Sequence, residues 1–283
     1  MKDRYLIVLA SGSPRRRELL DLLGIPYVII LPDASSLSAT PTGANEAKIS
    51  PPLTEGGIDE SPLPGESPAD LVQRLSRAKA TAVADRLASL DLPDITPVSD
   101  NPQARSVIIL AADTVVVLEN KILGKPVNPT EATQMLRSLR NHHYHYVYSG
   151  LTVGVWQTTI QAGEKLSQSQ NAGQINRLSI KPYTLELLTR LHQSKVWMRA
   201  YTDAEIDAYV ASGDPMDKAG AYAIQNNTFA PVEQLDGCFA SVMGLPLVEL
   251  AAALNEIGIA LPEIGPLCAG YSGYPCCYKT TNR

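Results

Sequence analysis

A chain of 283 residues with 45% hydrophobic side chains can fill one large core or two small ones, so a globular protein is expected. Its charges sum to −5, which argues against a general nucleic-acid coat: an anionic ligand must be held by a local cluster of cations working against a mildly acidic whole. No apolar run approaches the roughly 20 residues of a membrane span, and Met1–Arg4 leads into only about six apolar residues before Ser11, too few for a signal peptide; a cytoplasmic protein without membrane engagement is expected.

The continuous apolar run Tyr5–Ala10 predicts a strand buried on both faces. A helix follows, with Ser13 as N-cap, Pro14 at its first position, Leu19, Leu20 and Leu23 as an apolar stripe and Gly24 as its end. Tyr27–Leu31 predicts a second strand, so the chain opens β-α-β. From Ala34 to Gly57 the composition turns to Ser, Thr, Pro, Gly and Ala without periodicity, as in a flexible insertion, and 91–105 and 161–177 have a similar character. Between these lie a capped helix start at Ser67–Asp70 with Leu71, Leu75, Ala78 and Ala82 at helical spacing, and Val107–Ala112, the strongest strand signal in the chain.

Asn128–Glu131 and Thr202–Glu205 are capping signals, the second a capping box, each opening an amphipathic helix. Tyr144–Trp156 and Lys195–Arg199 predict strands, and Gly244-Leu245-Pro246 precedes a last helix through Leu247, Leu250, Ala251 and Leu254. Strands and helices alternate without internal repeats, so the fold class is α/β, one domain over 1–262 followed by a disordered Cys-, Gly- and Tyr-rich tail at 263–283. The four cysteines, Cys238, Cys268, Cys276 and Cys277, show no zinc-ligand spacing and are expected as reduced thiols.

Chemistry enters where the first strand runs through Ser11-Gly12-Ser13 into a helix N-terminus. Free backbone N–H groups and the positive dipole end suit an anion there, and Gly12 admits a close approach. Arg15, Arg16 and Arg17 sit in a first turn where the dipole disfavours cations, so a compensating anion is called for. By itself the segment is equally a solvated charge run, and it is no P-loop.

Asp113 ends the apolar strand, where α/β folds place catalytic groups, although an acid capping a turn looks the same. Lys125, in Gly124-Lys125-Pro126, offers a point charge for phosphate, and Lys218 with Gln225 in the 217–225 loop could contact a nucleotide, Gln225 reading a base edge. His142, His143 and His145 read as alternation at a strand edge, with metal binding as the other reading.

In this order the fragments LASGSPRRRELL (9–20), GIDE (57–60), Arg74-Leu75 with Lys79-Ala80, ADTVV (112–116), GKP (124–126), YSG (148–150), YVASG (209–213), DKAGAY (217–222) and GLPL (244–247) resemble the Maf family of nucleoside triphosphate pyrophosphatases, over about Leu6 to Ile257. The resemblance implies an elongated, two-lobed mixed-sheet fold shared with inosine triphosphate pyrophosphatases, with a central cleft. It implies hydrolysis of a nucleoside triphosphate to monophosphate and pyrophosphate with a divalent metal, Mg²⁺ or Mn²⁺. Carried over, Ser11, Arg15 and Arg16 line the phosphate site, Glu60, Lys79, Asp113 and Lys125 form the catalytic centre with Glu60 and Asp113 on the metal, and Lys218 and Gln225 contact the nucleotide.

The run from Lys218 to Gln225 is similar to the dTTP and UTP branch rather than the 7-methyl-GTP branch, although Asn226 stands where the family usually has glycine. Arg17 is a third arginine where the family pattern has two. The rival reading is a nucleotide-binding regulator of cell division or septum formation; retention of every expected carboxylate and lysine argues against it. A nucleic-acid-binding role for the arginines lacks aromatic platforms. The sequence leaves monomer and homodimer open.

Overall fold

The computed structural model describes residues 5–32, 58–89, 106–158 and 183–277; the expected insertions at 34–57, 91–105 and 161–177 lie outside them. The opening β-α-β unit is β1 (Tyr5–Leu9), α1 (Pro14–Leu22) and β2 (Val28–Ile29). β3 (Ser106–Leu118), β4 (Lys121–Leu123), β5 (Tyr144–Thr158), β6 (Tyr183–Met198) and β7 (Val232–Asp236) complete a seven-stranded sheet of order β2-β1-β3-β5-β6-β7, with β4 added to β3. β1 pairs in parallel with β2 and β3, and every later pairing is antiparallel. The expected mixed α/β sheet is therefore present.

Strand alternation sends Val8, Ala10, Val107, Ile109 and Ala111 to one face, against Ala80, Val83, Ala84 and Leu87 of α2 (Pro68–Ser89). It sends Ile7, Leu9, Ile108, Leu110 and Ala112 to the other face, covered by α1, α3 (Pro129–Asn141), α4 (Asp203–Ala211), α5 (Phe239–Met243), α6 (Leu247–Glu256) and α7 (Ile264–Ser272). Burial on both sides is why the β1 and β3 sequences are unbroken apolar runs. Leu71, Leu75 and Leu87 anchor α2, each stabilising by roughly 1.5–3 kcal/mol on burial.

α2 lies unusually close to the sheet. A Cβ built on Gly150 of β5 would stand 2.3 Å from the Val72 carbonyl oxygen, so only glycine admits the helix backbone there. The Ser76 and Thr152 hydroxyls hydrogen-bond at 2.8 Å beside this contact.

The expected caps form at α3, where Asn128 accepts from the Glu131 N–H, and at α4, where Thr202 and Glu205 close a reciprocal capping box. Ser13 does not cap α1 through its side chain; its N–H instead donates to Ser11 Oγ at 3.2 Å. β2 is two residues rather than five, because β1, its only strand partner among the described residues, ends at Leu9. β6 begins at Tyr183, well before Lys195, since β5 pairs along its whole length. The tail also departs from expectation. Residues 264–272 form α7, with Ile264 and Cys268 buried, Pro266 tolerated in the first turn, and the Tyr274 ring stacked on Phe239 at 5.5 Å. No helix among the described residues is long and apolar enough to cross a membrane.

Candidate active site

β3 has an open edge. The β1 ladder ends at Leu9 opposite Leu110, with the Ala10 N–H donating to the Leu110 carbonyl at 2.8 Å, and β4 begins only opposite Val116. Asp113 therefore sits in the middle of a 13-residue strand and not at its end, contrary to the sequence expectation, because β-branched Val115–Val117 carry the strand on to pair with β4. What ends near Asp113 is its neighbour β1, whose chain turns away into Ser11–Ser13. Through this gap groups from both faces of the sheet meet.

From the α1 side comes Arg16. Its Nη1 donates to buried Ser11 Oγ at 2.8 Å and its Nε to the Gly244 carbonyl at 2.8 Å, which accounts for an arginine only 8% exposed. Ser149 Oγ donates to the Ser241 carbonyl at 2.7 Å and accepts from Thr114 at 2.8 Å, so α5, which ends at Gly244, is tied to the sheet beside Asp113.

From the α2 side comes Lys79, fully buried, whose Nζ donates to Asp113 Oδ1 at 2.8 Å and pairs with Glu60 Oε1 at 2.7 Å. Gly150 is the ladder partner of Asp113, so the close approach of α2 that it permits brings Lys79 over this carboxylate. Burial pushes the Asp113 carboxyl above the usual carboxylate range, opposed by Lys79 and by the charge of nearby Arg16. Arg74 braces the segment bearing Glu60. It grips Glu66 at 2.6 and 2.8 Å, donates to the Ser61 carbonyl at 3.0 Å, and holds the Glu66 carboxyl down at about 2.

Beyond the Arg16 fork, Arg15 pairs with Asp217 at 3.0 Å, and Lys218 pairs with Asp217 at 2.7 Å and Asp214 at 2.9 Å. Asp214 in turn accepts from Tyr209 at 2.7 Å and from Asn226 at 3.1 Å. Asn226 also accepts from the Thr228 and Phe229 N–H groups, so it organises the turn where the family pattern has glycine. Gln225, just before it, has Oε1 buried and without a hydrogen-bond partner among the described residues. The Gly220 N–H donates to the Gly124 carbonyl at 3.0 Å and joins this loop to the one bearing Lys125, whose side chain is exposed and ion-paired with no group among the described residues.

The structure thus gathers Ser11 with Arg16, Glu60 with Lys79 and Asp113, and Arg15 with the Lys218 loop, while Lys125 and Gln225 are not bonded to these clusters. Among the described residues, Arg17 joins none of the three. Sequence reasoning missed the acids Asp214 and Asp217 as counter-charges and Glu66 as the partner of Arg74; their only signal was acidic residues beside cations already singled out. His145 is buried in β5 and hydrogen-bonds Tyr222 at 2.8 Å, while His142 caps α3 and contacts Ser138, so the three histidines do not converge.

Two carboxylates meeting on one ammonium form a donor set suited to a hard divalent cation. Glu60 Oε2 and Asp113 Oδ2 carry no hydrogen bond from the described residues, so these residues fit a Mg²⁺ site.

A family model described as Maf-like protein matches residues 6–257. A protein from Dictyoglomus turgidum named dTTP/UTP pyrophosphatase is 34% identical over 258 residues, 91% of this chain and 99% of its own. Proteins of the same name from Cupriavidus metallidurans and Nitrosomonas europaea are 37% and 38% identical, over 90% of this chain and 98% and 96% of theirs. With so long a match to the family and to relatives along nearly their full lengths, the chain belongs to the Maf family.

Proposed function

We propose that this protein hydrolyses nucleoside triphosphates, dTTP and UTP foremost, to the nucleoside monophosphate and pyrophosphate, at the open edge of β3 and within the cytoplasmic nucleotide pool. The observation that carries this reading is the buried Lys79, held by Asp113 and Glu60 beside Arg16, in a chain whose relatives are named dTTP/UTP pyrophosphatase.

Asp113 orients a water molecule against the α-phosphorus and takes its proton. The new bond is water oxygen to phosphorus, the bond that breaks joins that phosphorus to the bridging oxygen, and pyrophosphate leaves. A carboxyl raised by burial is a better base than an ordinary one, while Lys79 and Arg16 keep it available in its charged form. Ser11, Arg15 and Arg16 grip phosphate oxygens, and Lys125, exposed on its loop, adds a further cation. Arg15 and Lys218 exchange Asp217 for phosphate on binding. Gln225 reads the pyrimidine edge through its amide. Glu60 and Asp113 would hold Mg²⁺, with Mn²⁺ as substitute, and the ion supplies charge neutralisation for the triphosphate.

The test is pyrophosphate release from a panel of triphosphates with Mg²⁺, including purine nucleotides and 7-methyl-GTP. Preference for dTTP and UTP is expected; no turnover of any of them overturns the reading in favour of a nucleotide-binding regulator. Asp113→Asn is expected to lose about 10²- to 10⁴-fold in kcat while still binding nucleotide. Unchanged turnover in that variant would place the base elsewhere.

A further inference from the structure

All four cysteines of the chain gather in one cluster, two of them beside His192, and none is among the residues assigned to nucleotide. Cys238 precedes α5, Cys268 is buried on α7, and Cys276 and Cys277 follow α7, yet the ligand atoms of His192, Cys238 and Cys277 lie within 4.8 Å of one another. Cys268 and Cys276 adjoin this group: Cys268 is near enough to both Cys276 and Cys238 for their charges to interact. We infer that His192, Cys238 and Cys277 form a binding site for a zinc-type metal ion, with Cys268 or Cys276 as the fourth ligand.

Three observations carry this. The first is spacing: tetrahedral zinc, with Zn–S of about 2.3 Å and Zn–N of about 2.0 Å, sets neighbouring donors roughly 3.5–4 Å apart. The grouping within 4.8 Å exceeds that by about 1 Å at most. The second is the imidazole. His192 has Nδ1 3.2 Å from Glu249 Oε1, while Nε2 is buried without a hydrogen-bond partner among the described residues. A carboxylate on one ring nitrogen and an unsatisfied buried second nitrogen is the arrangement of a metal-ligating histidine, the carboxylate fixing the tautomer and orientation. The third is that Cys238 is already fixed: its N–H donates to Ser194 Oγ at 3.1 Å and its sulfur accepts from the Ser241 N–H at 3.4 Å.

Thiolates with an imidazole select a soft or borderline ion and not Mg²⁺, so this site is chemically distinct from the carboxylate pair. Its place gives it a role. The ion clasps β6, α5 and the segment after α7 together, and α5 carries the Ser241 and Gly244 carbonyls that hold Ser149 and Arg16. The segment that composition alone marks as a loose tail thereby becomes a brace behind the phosphate-gripping arginine.

The experiment uses the full chain, reduced and freed of metal by chelation, then titrated with Zn²⁺ or Co²⁺. One zinc per chain is expected by elemental analysis after dialysis, and Co²⁺ is expected to give thiolate-to-cobalt absorption with the visible bands of tetrahedral coordination. His192→Gln and Cys277→Ser are each expected to abolish stoichiometric retention, and Glu249→Gln to weaken zinc by about 10- to 100-fold. Single serine variants of Cys268 and Cys276 identify the fourth ligand. Circular dichroism of each variant verifies its fold, and Cys238 is left intact because it is buried. No stoichiometric zinc in the reduced protein, zinc retained in folded His192→Gln and Cys277→Ser, or a Cys238–Cys277 disulfide in place of the thiols would overturn the assignment.

Discussion

Replacing Gly150 by alanine adds one methyl group in the middle of β5, yet it should disable the site. The new carbon would stand 2.3 Å from the Val72 carbonyl oxygen, 2.5 Å from its carbon and 2.9 Å from the Gln73 nitrogen, where ordinary contact begins at 3.4 Å. All three obstacles are helix backbone, so no side chain can swing aside and α2 must retreat by about 1 Å. Overpacking of this kind costs about 1–3 kcal/mol, at about 2–4 °C of Tm per kcal/mol for a chain of this size class. The functional loss should exceed the stability loss. Lys79 rides on α2 two turns from Val72 and reaches Asp113 at 2.8 Å, and Asp113 is the ladder partner of Gly150 itself. A displacement near 1 Å in a catalytic arrangement costs on the order of 10²-fold in rate. Thermal melting by circular dichroism and steady-state pyrophosphate release measure the two effects separately. A variant that melts and turns over like the parent would refute the claim that the helix-to-sheet distance at Gly150 sets the Lys79–Asp113 pair.

Two further outcomes follow from particular contacts. Arg16→Lys keeps the charge but loses the planar fork that spans Ser11 Oγ and the Gly244 carbonyl, so KM for the triphosphate should rise about tenfold, and an unchanged KM would remove Arg16 from the phosphate site. His145 bears on pH: burial lowers its pKa to about 3 from the ordinary 6.5, so below 6.5 the unfolded chain takes up a proton that the folded chain refuses. The stability present above that value is lost as pH falls toward 3, by at most about 1.4 kcal/mol per pH unit. Tm should therefore fall less steeply from pH 7 to 5 in His145→Gln than in the parent, and equal slopes would show that His145 is not held neutral.

Much of the framework was legible because it is local. The Thr202–Glu205 capping box, the Asn128 cap and the two-sided burial of β1 and β3 each reside in a few neighbouring residues, and each formed as the spacing dictates. The ordered motifs were legible for a different reason: together they specified the family where each fragment alone did not. What escaped was set by partners far along the chain. β6 extends to Tyr183 because β5 lies beside it, and α7 folds because Phe239 and the α5–α6 layer offer a surface to Ile264, Cys268 and Tyr274. The bonds that hold the arginines were not legible in the sequence, since Asp217 and the Gly244 carbonyl, the partners of Arg15 and Arg16, lie more than 200 positions away.

The ion pairs also answer the question that the composition raised, of how a chain with net charge −5 could hold an anionic ligand. Lys79 faces Glu60 and Asp113, Lys218 faces Asp214 and Asp217, and Arg15 faces Asp217, so carboxylates of the chain itself keep these cations in place. Arg16 differs, being held through neutral oxygens of Ser11 and Gly244. On the proposed function this division has a consequence for binding. Arg16 keeps its full charge for phosphate, whereas Arg15 and Lys218 must leave Asp217, which is exposed and readily hydrated once released. A triphosphate, with more charge and more oxygens than one carboxylate, can win that exchange; a monophosphate product, with less of both, holds it less firmly and is the easier to release.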